Sequence, residues 1–480
     1  MNLFEKSILA LSPGWASSRA ENRNKVNAYE AALPSRIHKA NKESRSANQA
    51  IFAAGKSLRE QARWLDANHD ISIGILDKFE ERVIGPSGIM IEPQPRKLNG
   101  DVDVDLASKI SEKFKNWSLK PEVTGRFTRS QMERLVLRSW LRDGEMFAQQ
   151  LKGNVAGYQY LTNTQYAIEL LEADFVPIIS DLSKRINQGI QLNSWGRATG
   201  YHILYDHPAE AFSTKSKIVP ADKMLHLALI KRIHQIRGVT IFHGIITRLS
   251  DLKEYEESER VAARIAAALG MYIKKGSPDL YDADSAPEQS RHFDLAPGST
   301  FDELLPGEEV GMVESNRPSA QVVPWRSGQI KAAVAGVRAS YSSVARDYGG
   351  SYSSQRQELV ESTIGYEVIQ DEFVSQWSRP IYRNWLEMEL LNDLKLPADL
   401  DRDTLFDALY LAPTMPWIDP KKEADAWETL KENGVASDAE WIRSRGKSPR
   451  EVKRQVKAEQ AENPTPIIKK TKKEETSEEE

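Results

Sequence analysis

The sequence contains no cysteine among its 480 residues, and this absence excludes disulfide bonds and every thiolate metal site. Long apolar runs are absent as well. No stretch approaches the roughly 20 apolar residues that a membrane-spanning helix requires, and the apolar run Ile8–Leu11 is too short for a signal peptide. These absences predict a protein that is made and kept in the cytoplasm and has no membrane partner.

An excess of basic residues is also absent. The chain has 65 Lys and Arg residues against 69 Asp and Glu residues, which gives a net charge of −4. A sequence-specific DNA-binding protein usually carries a basic excess or a clustered basic face. This chain has neither, apart from its extreme C-terminus. We therefore expect any contact with nucleic acid to be weak, or to be made by a few groups in a confined geometry.

Catalytic motifs are missing. The sequence has neither the GxxxxGK[ST] pattern of a phosphate-binding loop nor the HExxH pattern of a zinc protease. Its densest group of histidines is His226, His234 and His243, and their spacing does not place three ligands on one helix face. These residues are expected to be surface or core histidines. We predict a protein that is not an enzyme, with no catalytic residue, no bound metal and no cofactor.

One acidic segment partly matches the residue pattern of a calcium-binding loop. Asp101, Asp103, Asp105 and Glu112 occupy positions 1, 3, 5 and 12 of such a loop. Leu106 stands where the loop needs a glycine for its sharp turn. The simpler interpretation is a polar connector whose last aspartate, Asp105, caps the following helix.

A second acidic set is Glu169, Glu172 and Asp174. Paired carboxylates can bind a metal ion for phosphodiester hydrolysis, but no neighbouring residue in the sequence supplies a further ligand or a base. Because acids at strand ends usually cap turns or pair with arginine, we favour a structural role for this set.

The residues that are present predict an α+β protein that is predominantly helical, with about three domains. Helical spacing runs from Ser57 to Ile84, and strand-like segments with intervening turns between Met146 and His207 predict an antiparallel sheet. A long helical pattern covers residues 245–273. Its second half is rich in alanine, and small residues let helices approach closely. The pattern fits a helix that packs side by side with others, and it equally fits a plain core helix.

The remaining chain alternates between breaks and helices. Two strand candidates flank Pro306-Gly307, a dipeptide that suits a type II turn. Helices are predicted at about 327–345 and 355–394, and the second should kink at Pro380 because an interior proline removes a backbone hydrogen bond. Two compact helices follow Pro420, the second capped by Ser437 and Glu440.

Seven segments between about Ala62 and Glu459 resemble, in the same order, segments of the lambda-type family of phage portal proteins. They are ARWLDANHDISIGILDKFEERVIGPSGI, LLEADF, GIQLNSWGRATGYHIL, VPADKMLHLALIKRIHQIRGVT, APGSTFDELLPGEEV, DYGGSYSSQR and IDPKKEADAWETLKENGVASDAEWIRSRG. One such segment would carry little weight, whereas seven in the family's order are specific.

The resemblance implies a dodecameric ring at one vertex of the capsid, assembled in the host cytoplasm and retained in the virion. Terminase would pump double-stranded DNA through its channel, and the tail would attach later. The implied partners are other copies of the chain, the major capsid and scaffold proteins, the terminase large subunit, a head-tail adaptor, and DNA bound without sequence specificity.

The resemblance also implies a portal-type fold with wing, stem, clip and crown regions. On this chain they would be a flexible N-terminal arm at 1–48, an α+β wing at 49–244, a first stem helix at 245–275, a clip at 276–323, a second stem helix at 324–346, a tunnel loop at 347–354, a kinked wing helix and return at 355–420, a helical crown at 421–462 and a disordered charged tail at 463–480.

Three sets of residues are expected to carry the function. A loop of Gly, Ser and Tyr can touch a duplex through hydroxyls and aromatic edges without fixing its register, and a conduit should not bear a dense cationic lining. The expected channel residues are Tyr348, Gly349, Gly350, Ser351, Tyr352 and Ser353. The expected subunit contacts in the stem are Ala262, Ala263, Ala266 and Ala267. The expected docking residues in the clip are Phe301, Leu304, Leu305, Glu308 and Glu309.

Two other classes of protein remain open at this point. A metal-dependent nuclease would use Asp101–Asp105 or Glu169–Asp174, and it would lose activity on Asp→Asn changes. Another capsid or scaffold component would share the long helices but would have no central channel. A proline-kinked helix that follows a short loop is better explained by a portal than by a shell protein.

Overall fold

The computed structural model describes residues 12–26, 42–210, 215–267, 271–275, 308–312, 321–392, 394–415 and 419–462. The α-helices of these residues are α1 Pro13–Val26, α2 Ala47–Asn68, α3 Asp70–Phe79, α4 Val104–Trp117, α5 Arg129–Asp143, α6 Ile246–Ala267, α7 Val322–Val337, α8 Tyr341–Ala345, α9 Tyr352–Phe373, α10 Arg379–Glu389, α11 Pro420–Glu432, α12 Asp438–Ser444 and α13 Pro449–Glu462. Their predominance over the strands confirms the predicted α+β class.

The strands of the described residues form small antiparallel sheets. In chain order they are β1 Met90–Pro93, β2 Arg96–Lys97, β3 Glu145–Lys152, β4 Tyr166–Leu171, β5 Ile186–Asn187, β6 Ile190–Leu192, β7 Ala198–Leu204, β8 Ser216–Pro220, β9 Met224–Ala228, β10 Met271–Lys275, β11 Glu308–Met312, β12 Leu400–Asp401 and β13 Ala408–Leu411.

The antiparallel sheet predicted for the first half is present as two sheets. One has the order β4-β3-β9 and the other has the order β5-β6-β7-β8. A small second core joins them, in which Phe147 of β3 packs edge-on against Tyr201 of β7 with ring centroids 5.9 Å apart. Further along the chain, β1 pairs with β13 and β2 pairs with β12, so residues near 400–411 return to the region of residues 90–97.

The main core is built from aromatic residues of helices that are distant in sequence. Phe114 and Trp117 of α4 meet Tyr382 and Trp385 of α10, with the Phe114 and Trp385 ring centroids 4.8 Å apart. All four side chains are buried. Large aromatic rings packed edge-on contribute both apolar area and favourable ring geometry, which holds the C-terminal part of the long helix against the first half of the chain.

The helix predicted at Ser57–Ile84 is two helices, and it starts earlier than predicted. Ser46 caps α2 in a capping box with Gln49, as short polar side chains do when they satisfy free backbone amides. His69 has extended backbone angles and separates α2 from α3. Its Nδ1 accepts a hydrogen bond from the Ile71 amide, and its Nε2 lies 2.9 Å from the Leu249 carbonyl oxygen of α6. A buried polar contact therefore fixes this break, and Glu80–Ile84 continues as a π-helical turn.

The N-terminal arm predicted at 1–48 was expected to lack regular packing. The arm includes the helix Pro13–Val26, whose described side chains are exposed, and the prediction is wrong only at its end, where Asn48 is anchored to a distant loop. The Asn48 side chain donates to the His234 carbonyl and accepts from the Ile236 amide, both at 2.9 Å. The body of the protein therefore begins just before α2.

Helix α4 is capped by Asp103 and not, as predicted, by Asp105. The Asp103 side chain accepts a hydrogen bond from the Leu106 amide at 3.0 Å, and Asp105 lies in the first turn. Asp101 bonds with Asn99. The acidic segment is therefore the polar connector and helix cap that was predicted, with the cap two residues earlier.

The two long helices of the second half differ from prediction at their ends. Helix α6 ends at Ala267, and residues 271–275 form a strand, so the prediction of helix through 273 is wrong there. The helix predicted at 327–345 is divided into α7 and α8 by Arg338, which has a left-handed φ of 60°. Ser340 then caps α8 by accepting from the Ser343 amide.

The predicted helix 355–394 runs from Tyr352 to Glu389. It begins earlier because Ser351 caps it by accepting from the Ser354 amide. The interruption expected at Pro380 takes the form of a π-helical turn at Val374–Ser378, directly before it. This agrees with the need to rearrange backbone hydrogen bonds next to a residue that has no amide hydrogen.

The Gly434 stop and the Ser437 cap predicted for the C-terminal helices are present, and the Asp419 cap and helix α13 add to them. Asp419 caps α11, Ser437 caps α12 through the Glu440 amide, and Gly434 follows α11 with a φ of 70°. The predicted Glu440 side-chain half of the capping box has no counterpart among the described hydrogen bonds. The predicted tail 463–480 lies outside the described residues. No helix in the described ranges combines the length and the apolar character needed to cross a bilayer.

Candidate functional site

The first candidate site is an antiparallel pair formed by α6 and α7. Ile245, just before α6, faces Gly336 near the end of α7, and Tyr255 stacks on Trp325 near the start of α7 with ring centroids 4.2 Å apart. The two helices therefore run in opposite directions. Next to this stacked pair, Arg326 forms an ion pair with Glu256. The close approach at Gly336 depends on its missing side chain, since a Cβ there would lie 2.8 Å from the Ile245 Cγ2 atom.

A two-stranded sheet continues the helix pair. β10 pairs with β11 from Met271 opposite Met312 to Lys275 opposite Glu308. The second strand predicted after Pro306-Gly307 is thus present, and its described partner is β10. Glu309 is exposed and lies 3.9 Å from Lys274. The first strand candidate and the docking residues Phe301, Leu304 and Leu305 lie outside the described residues.

The helix pair exposes apolar side chains. Ile265 of α6 and Val323 of α7 are 64% and 71% exposed, and Val261 is 43% exposed. Of the alanines predicted to contact a neighbouring subunit, Ala262 and Ala263 are half-buried, and the side chains of Ala266 and Ala267 lie outside the described part. Burying a large aliphatic side chain contributes about 1.5–3 kcal/mol. This face of the pair would therefore be stabilised by a partner surface.

The second candidate site is the loop between α8 and α9. It is shorter than the predicted 347–354, because Tyr352 and Ser353 lie in the first turn of α9. Tyr348 and Tyr352 are 62% and 56% exposed, so both predicted hydroxyls are accessible. Between Asp347 and Gln355 the loop carries no Lys or Arg.

Hydrogen bonds fold this loop back on the neighbouring helices. Asp347 accepts from the Gly349 amide at 3.2 Å and from the Tyr341 hydroxyl at 2.9 Å, and these two bonds lower the pKa of its carboxyl group. The Gln355 amide group donates to the Gly350 carbonyl at 3.2 Å and also to the Tyr348 carbonyl. The loop thus has a defined shape that presents its tyrosines outward.

A buried ionic cluster holds the two sheets of the first half together. The Arg237 guanidinium, 1% exposed, contacts both carboxylate oxygens of Glu145 at about 2.8 Å and donates to the Gln188 carbonyl at 2.7 Å. His226 Nε2 lies 3.2 Å from Glu145. Burial lowers the pKa of His226 although Glu145 opposes this shift, so the histidine is neutral near pH 7 and donates to the carboxylate.

The acidic set predicted from the sequence lies beside this cluster. Asp174 is 2.6 Å from Arg63 and 3.5 Å from Arg59, both on α2. Burial would raise the pKa of Asp174, but these two guanidinium groups lower it. Glu172 lies 3.4 Å from Arg63, whereas Glu169 stands on β4 opposite Gln149 and takes no part. The favoured interpretation, pairing with arginine, is the arrangement that the described residues show for Glu172 and Asp174.

The structure adds a histidine that the sequence analysis did not connect with this set. Donor atoms of His207, Glu172 and Asp174 lie within 4.8 Å of one another. Strand β7 ends at Leu204, and the chain after it brings His207 to Glu172 and Asp174. No sequence pattern near His207 indicates this contact. The Arg63 guanidinium already lies against both carboxylates, so the residues fit an ion-pair cluster better than a metal centre.

The other predicted groups do not converge on one site. Among the described residues, the calcium-like set of Asp101, Asp103, Asp105 and Glu112 forms no cluster with the geometry to hold a metal ion. His226, with a side chain 11% exposed, belongs to the ionic cluster. His243 bonds with the Thr240 carbonyl, and His234 lies in a loop with a φ of 65°. The three histidines are therefore structural or surface residues, as predicted.

Comparison with known proteins gives matches to phage and phage-like particle proteins. The profile of a family described as "Phage portal protein, lambda family" matches residues 34–370. A probable portal protein of Halomonas phage phiHAP-1 is 26% identical over 428 residues, which cover 85% of this chain and 81% of the relative.

Solved structures also match at low sequence identity. One is described as the neck of a native GTA particle computed with C12 symmetry, with 11% identity, a TM-score of 0.49, and coverage of 82% of this chain and 94% of the other. Another is described as the neck of an empty GTA particle computed with C6 symmetry, with 9% identity, a TM-score of 0.49, and coverage of 85% and 95%.

Proposed function

This chain belongs to the lambda family of phage portal proteins, and we propose that twelve copies form a ring at one capsid vertex through which double-stranded DNA is packaged and ejected. The phiHAP-1 relative, itself named a probable portal protein, supports this assignment. In this proposal the protein is a structural component of the virion, has no catalytic activity of its own, and assembles in the host cytoplasm with the major capsid and scaffold proteins.

The observation that carries the ring is the exposed apolar face of the helix pair. A closed ring requires two different, complementary patches on each subunit. Val261, Ile265 and Val323 offer one such patch, on parts of α6 and α7 that lie beyond their core residues Leu252 and Ile330. In this proposal α6 and α7 are the stem, α11–α13 belong to the crown, and the face around Ala262 and Ala263 packs against the next copy.

The loop between α8 and α9 is the proposed contact with DNA in the channel. Tyr348, Ser351 and Tyr352 carry hydroxyl groups, and the loop has no cation between Arg346 and Arg356. Each phosphate that a protein neutralises adds affinity, so a loop without cations can touch a moving duplex without retaining it. Deletion of residues 348–353 should leave rings intact and impair packaging, and normal packaging by that variant would contradict the proposal.

The β10–β11 sheet at the far end of the helix pair is the proposed clip. Glu308 and Glu309 on β11, together with Phe301, Leu304 and Leu305 earlier in the chain, are proposed to dock the terminase large subunit and the head-tail adaptor. Pull-down of each partner by a variant that lacks residues 301–310 tests this assignment. Retention of both partners would remove it.

The ring itself is tested by negative-stain imaging and native mass spectrometry of the purified chain. Closed rings of about a dozen copies with a central hole are expected. The double variant Val261→Glu and Ile265→Glu should stay monomeric, because it places charge on the face that would be buried. Arg260→Glu is the control, since Arg260 is exposed on another side of the same helix and is not an i+3 or i+4 neighbour of Val261 or Ile265. Rings formed equally by the double variant would exclude this face as the interface.

A further inference from the structure

The C-terminal helices carry a concentration of positive charge that contrasts with the rest of the chain. Between Arg443 and Lys457 there are seven Lys and Arg residues and a single carboxylate, Glu451, whereas the whole chain has a net charge of −4. A basic segment on one face of an otherwise acidic protein is the electrostatic footprint of a nucleic-acid contact. The basic character expected at the extreme C-terminus therefore extends to this helical segment.

The geometry of α13 places these cations on one face. Arg450, Lys453, Arg454 and Lys457 are spaced i, i+3, i+4 and i+7 along the helix Pro449–Glu462, and residues at this spacing are neighbours on a helix surface. Lys453, Arg454 and Lys457 are exposed. The helix is about 21 Å long at 1.5 Å per residue, so the three side chains form a compact stripe that can follow a phosphate backbone.

Internal ion pairs do not neutralise this stripe. Among the described residues, none of the ion pairs involves Lys447, Lys453, Arg454 or Lys457, and Asp438 of α12 is already paired with Lys431. Arg443 and Arg450 differ, because their guanidinium groups hold the buried carboxylate of Glu92 at 3.0 and 3.9 Å. These two arginines therefore fasten α12 and α13 to β1, and the outer cations remain available.

A groove adjoins the stripe where α13 meets the body. It has a volume of about 730 Å³ and lies between α13, α4 and the start of α5. Its cations are Lys115, Arg129, Arg450 and Arg454, and its carboxylates are Glu92, Glu112 and Glu451. The groove is thus nearly balanced in charge, but it adds the hydroxyl groups of Ser108, Ser111 and Ser448. Hydroxyls and cations of this kind are the usual partners of phosphate oxygens.

We propose that the exposed cationic face of α13, centred on Lys453, Arg454 and Lys457, binds the phosphate backbone of duplex DNA without sequence specificity. The proposal rests on the proposed function for the choice of DNA as the polyanion. A membrane surface fits less well, because a helix that lies in a membrane interface needs a broad apolar face and α13 offers only Val452 and Val456 outside its first residue. This contact is separate from the proposed channel loop, which carries no cations.

The experiment measures binding of the full-length chain to a fluorescent 12-base-pair duplex by anisotropy over a range of salt concentrations. The variant is K453A/R454A/K457A, because alanine retains helix propensity while it removes the charges. The control is K56A/K184A/K395A, which removes the same number of exposed lysine or arginine charges elsewhere. Each phosphate contact contributes about 0.9 to the slope of log affinity against log salt, so the slope should fall by nearly 3 in the variant and stay unchanged in the control.

Several outcomes would overturn the proposal. Equal slopes for the variant and the wild-type chain would do so, as would equal losses in the variant and the control. Stronger binding to vesicles with anionic lipid, or to an acidic peptide, than to the duplex would assign the face to another partner. Native mass spectrometry of the same samples separates this inference from the ring. Rings formed by a chain without the salt-dependent contact would contradict only the inference, and DNA binding by a chain that forms no ring would contradict only the proposed function.

Discussion

Replacement of Arg237 by methionine should loosen both sheets of the first half of the chain. The Arg237 side chain uses its guanidinium nitrogens to bond with Glu145 and with the carbonyls of Val176 and Gln188, and it also covers the Phe147 ring at 5.3 Å. Methionine keeps the apolar stem but leaves Glu145, 2% exposed, without its main partner. Removal of one member of a buried ion pair costs about 3–5 kcal/mol.

Hydrogen–deuterium exchange measures this loss where it occurs. Local opening free energies set amide protection, and about 3–5 kcal/mol corresponds to a 10²–10⁴-fold loss, at 1.36 kcal/mol for each factor of ten. The loss should appear in peptides that cover β3 and residues 186–204. Arg383→Met is the control, because Arg383 and Glu387 form an exposed pair on α10 and such pairs contribute about 0–1 kcal/mol. Unchanged protection in the Arg237 variant would refute the reasoning.

The sign of the pH dependence provides a second test of the same cluster. Burial alone would raise the pKa of Glu145, but Arg237 and His226 lower it well below its usual range. A carboxyl group with a lowered folded-state pKa stabilises the fold above its unfolded pKa of about 4.3, and this contribution is lost as the pH falls. The difference between the wild-type chain and the Arg237→Met variant should therefore be largest near neutral pH and shrink below about pH 4. Replacing both partners with apolar residues should recover much of the loss, since an apolar pair leaves no unpaired charge.

Two further substitutions test the packing. Gly238→Ala should destabilise the chain by about 1–3 kcal/mol or more, because a Cβ there would lie 1.9 Å from the Gly144 carbonyl oxygen. Thermal unfolding measures this, with Gly244→Ala as the control because a Cβ there meets no atom within 4 Å. Equal melting temperatures of the two variants would contradict the prediction. Trp385→Ala should cost about 3–5 kcal/mol of unfolding free energy through the cavity it leaves beside Phe114. Trp385→Phe should cost much less, because the buried indole nitrogen has no hydrogen-bond partner. Equal midpoints of the two variants in urea denaturation would show that the ring does not support this core.

The parts of the fold that local signals determine were predictable from the sequence. The apolar spacing on α4 and α6 and the cap at Ser437 depend on residues within a few positions of one another, so periodicity and capping rules apply. The end of α6 was not predictable in this way. Met271–Lys275 becomes a strand because it pairs with Glu308–Met312, and such a distant partner overrides local helix preference.

The candidate sites show the same difference between local signals, which could be predicted, and contacts between distant segments, which could not. The exposed tyrosines of the loop follow from its composition, because Gly and Ser interrupt the helices there. The contact of His207 with Glu172 and Asp174 depends on how β7 returns to β4, and Arg338 adopts its left-handed conformation between two packed helices. The basic character near the C-terminus is visible in the sequence, since seven cations stand close together between Arg443 and Lys457, but their placement on one face depends on the bounds of α13.

Stability is distributed unevenly along the chain, and this distribution links folding to assembly. The first half shares the main core with α7, α9 and α10 and also has the Arg237 cluster, whereas α11 and α12 have no buried residue among those described and α13 has only Pro449. Helices without a packed apolar face are marginal in water. We therefore expect amide protection to rise with protein concentration, as rings form, in residues 420–462 and in the part of α6 near Ala267. Protection in β3 should stay constant. Hydrogen–deuterium exchange on monomer and ring fractions measures this, and equal protection of α11–α13 in both fractions would show that these helices are stable without neighbouring copies.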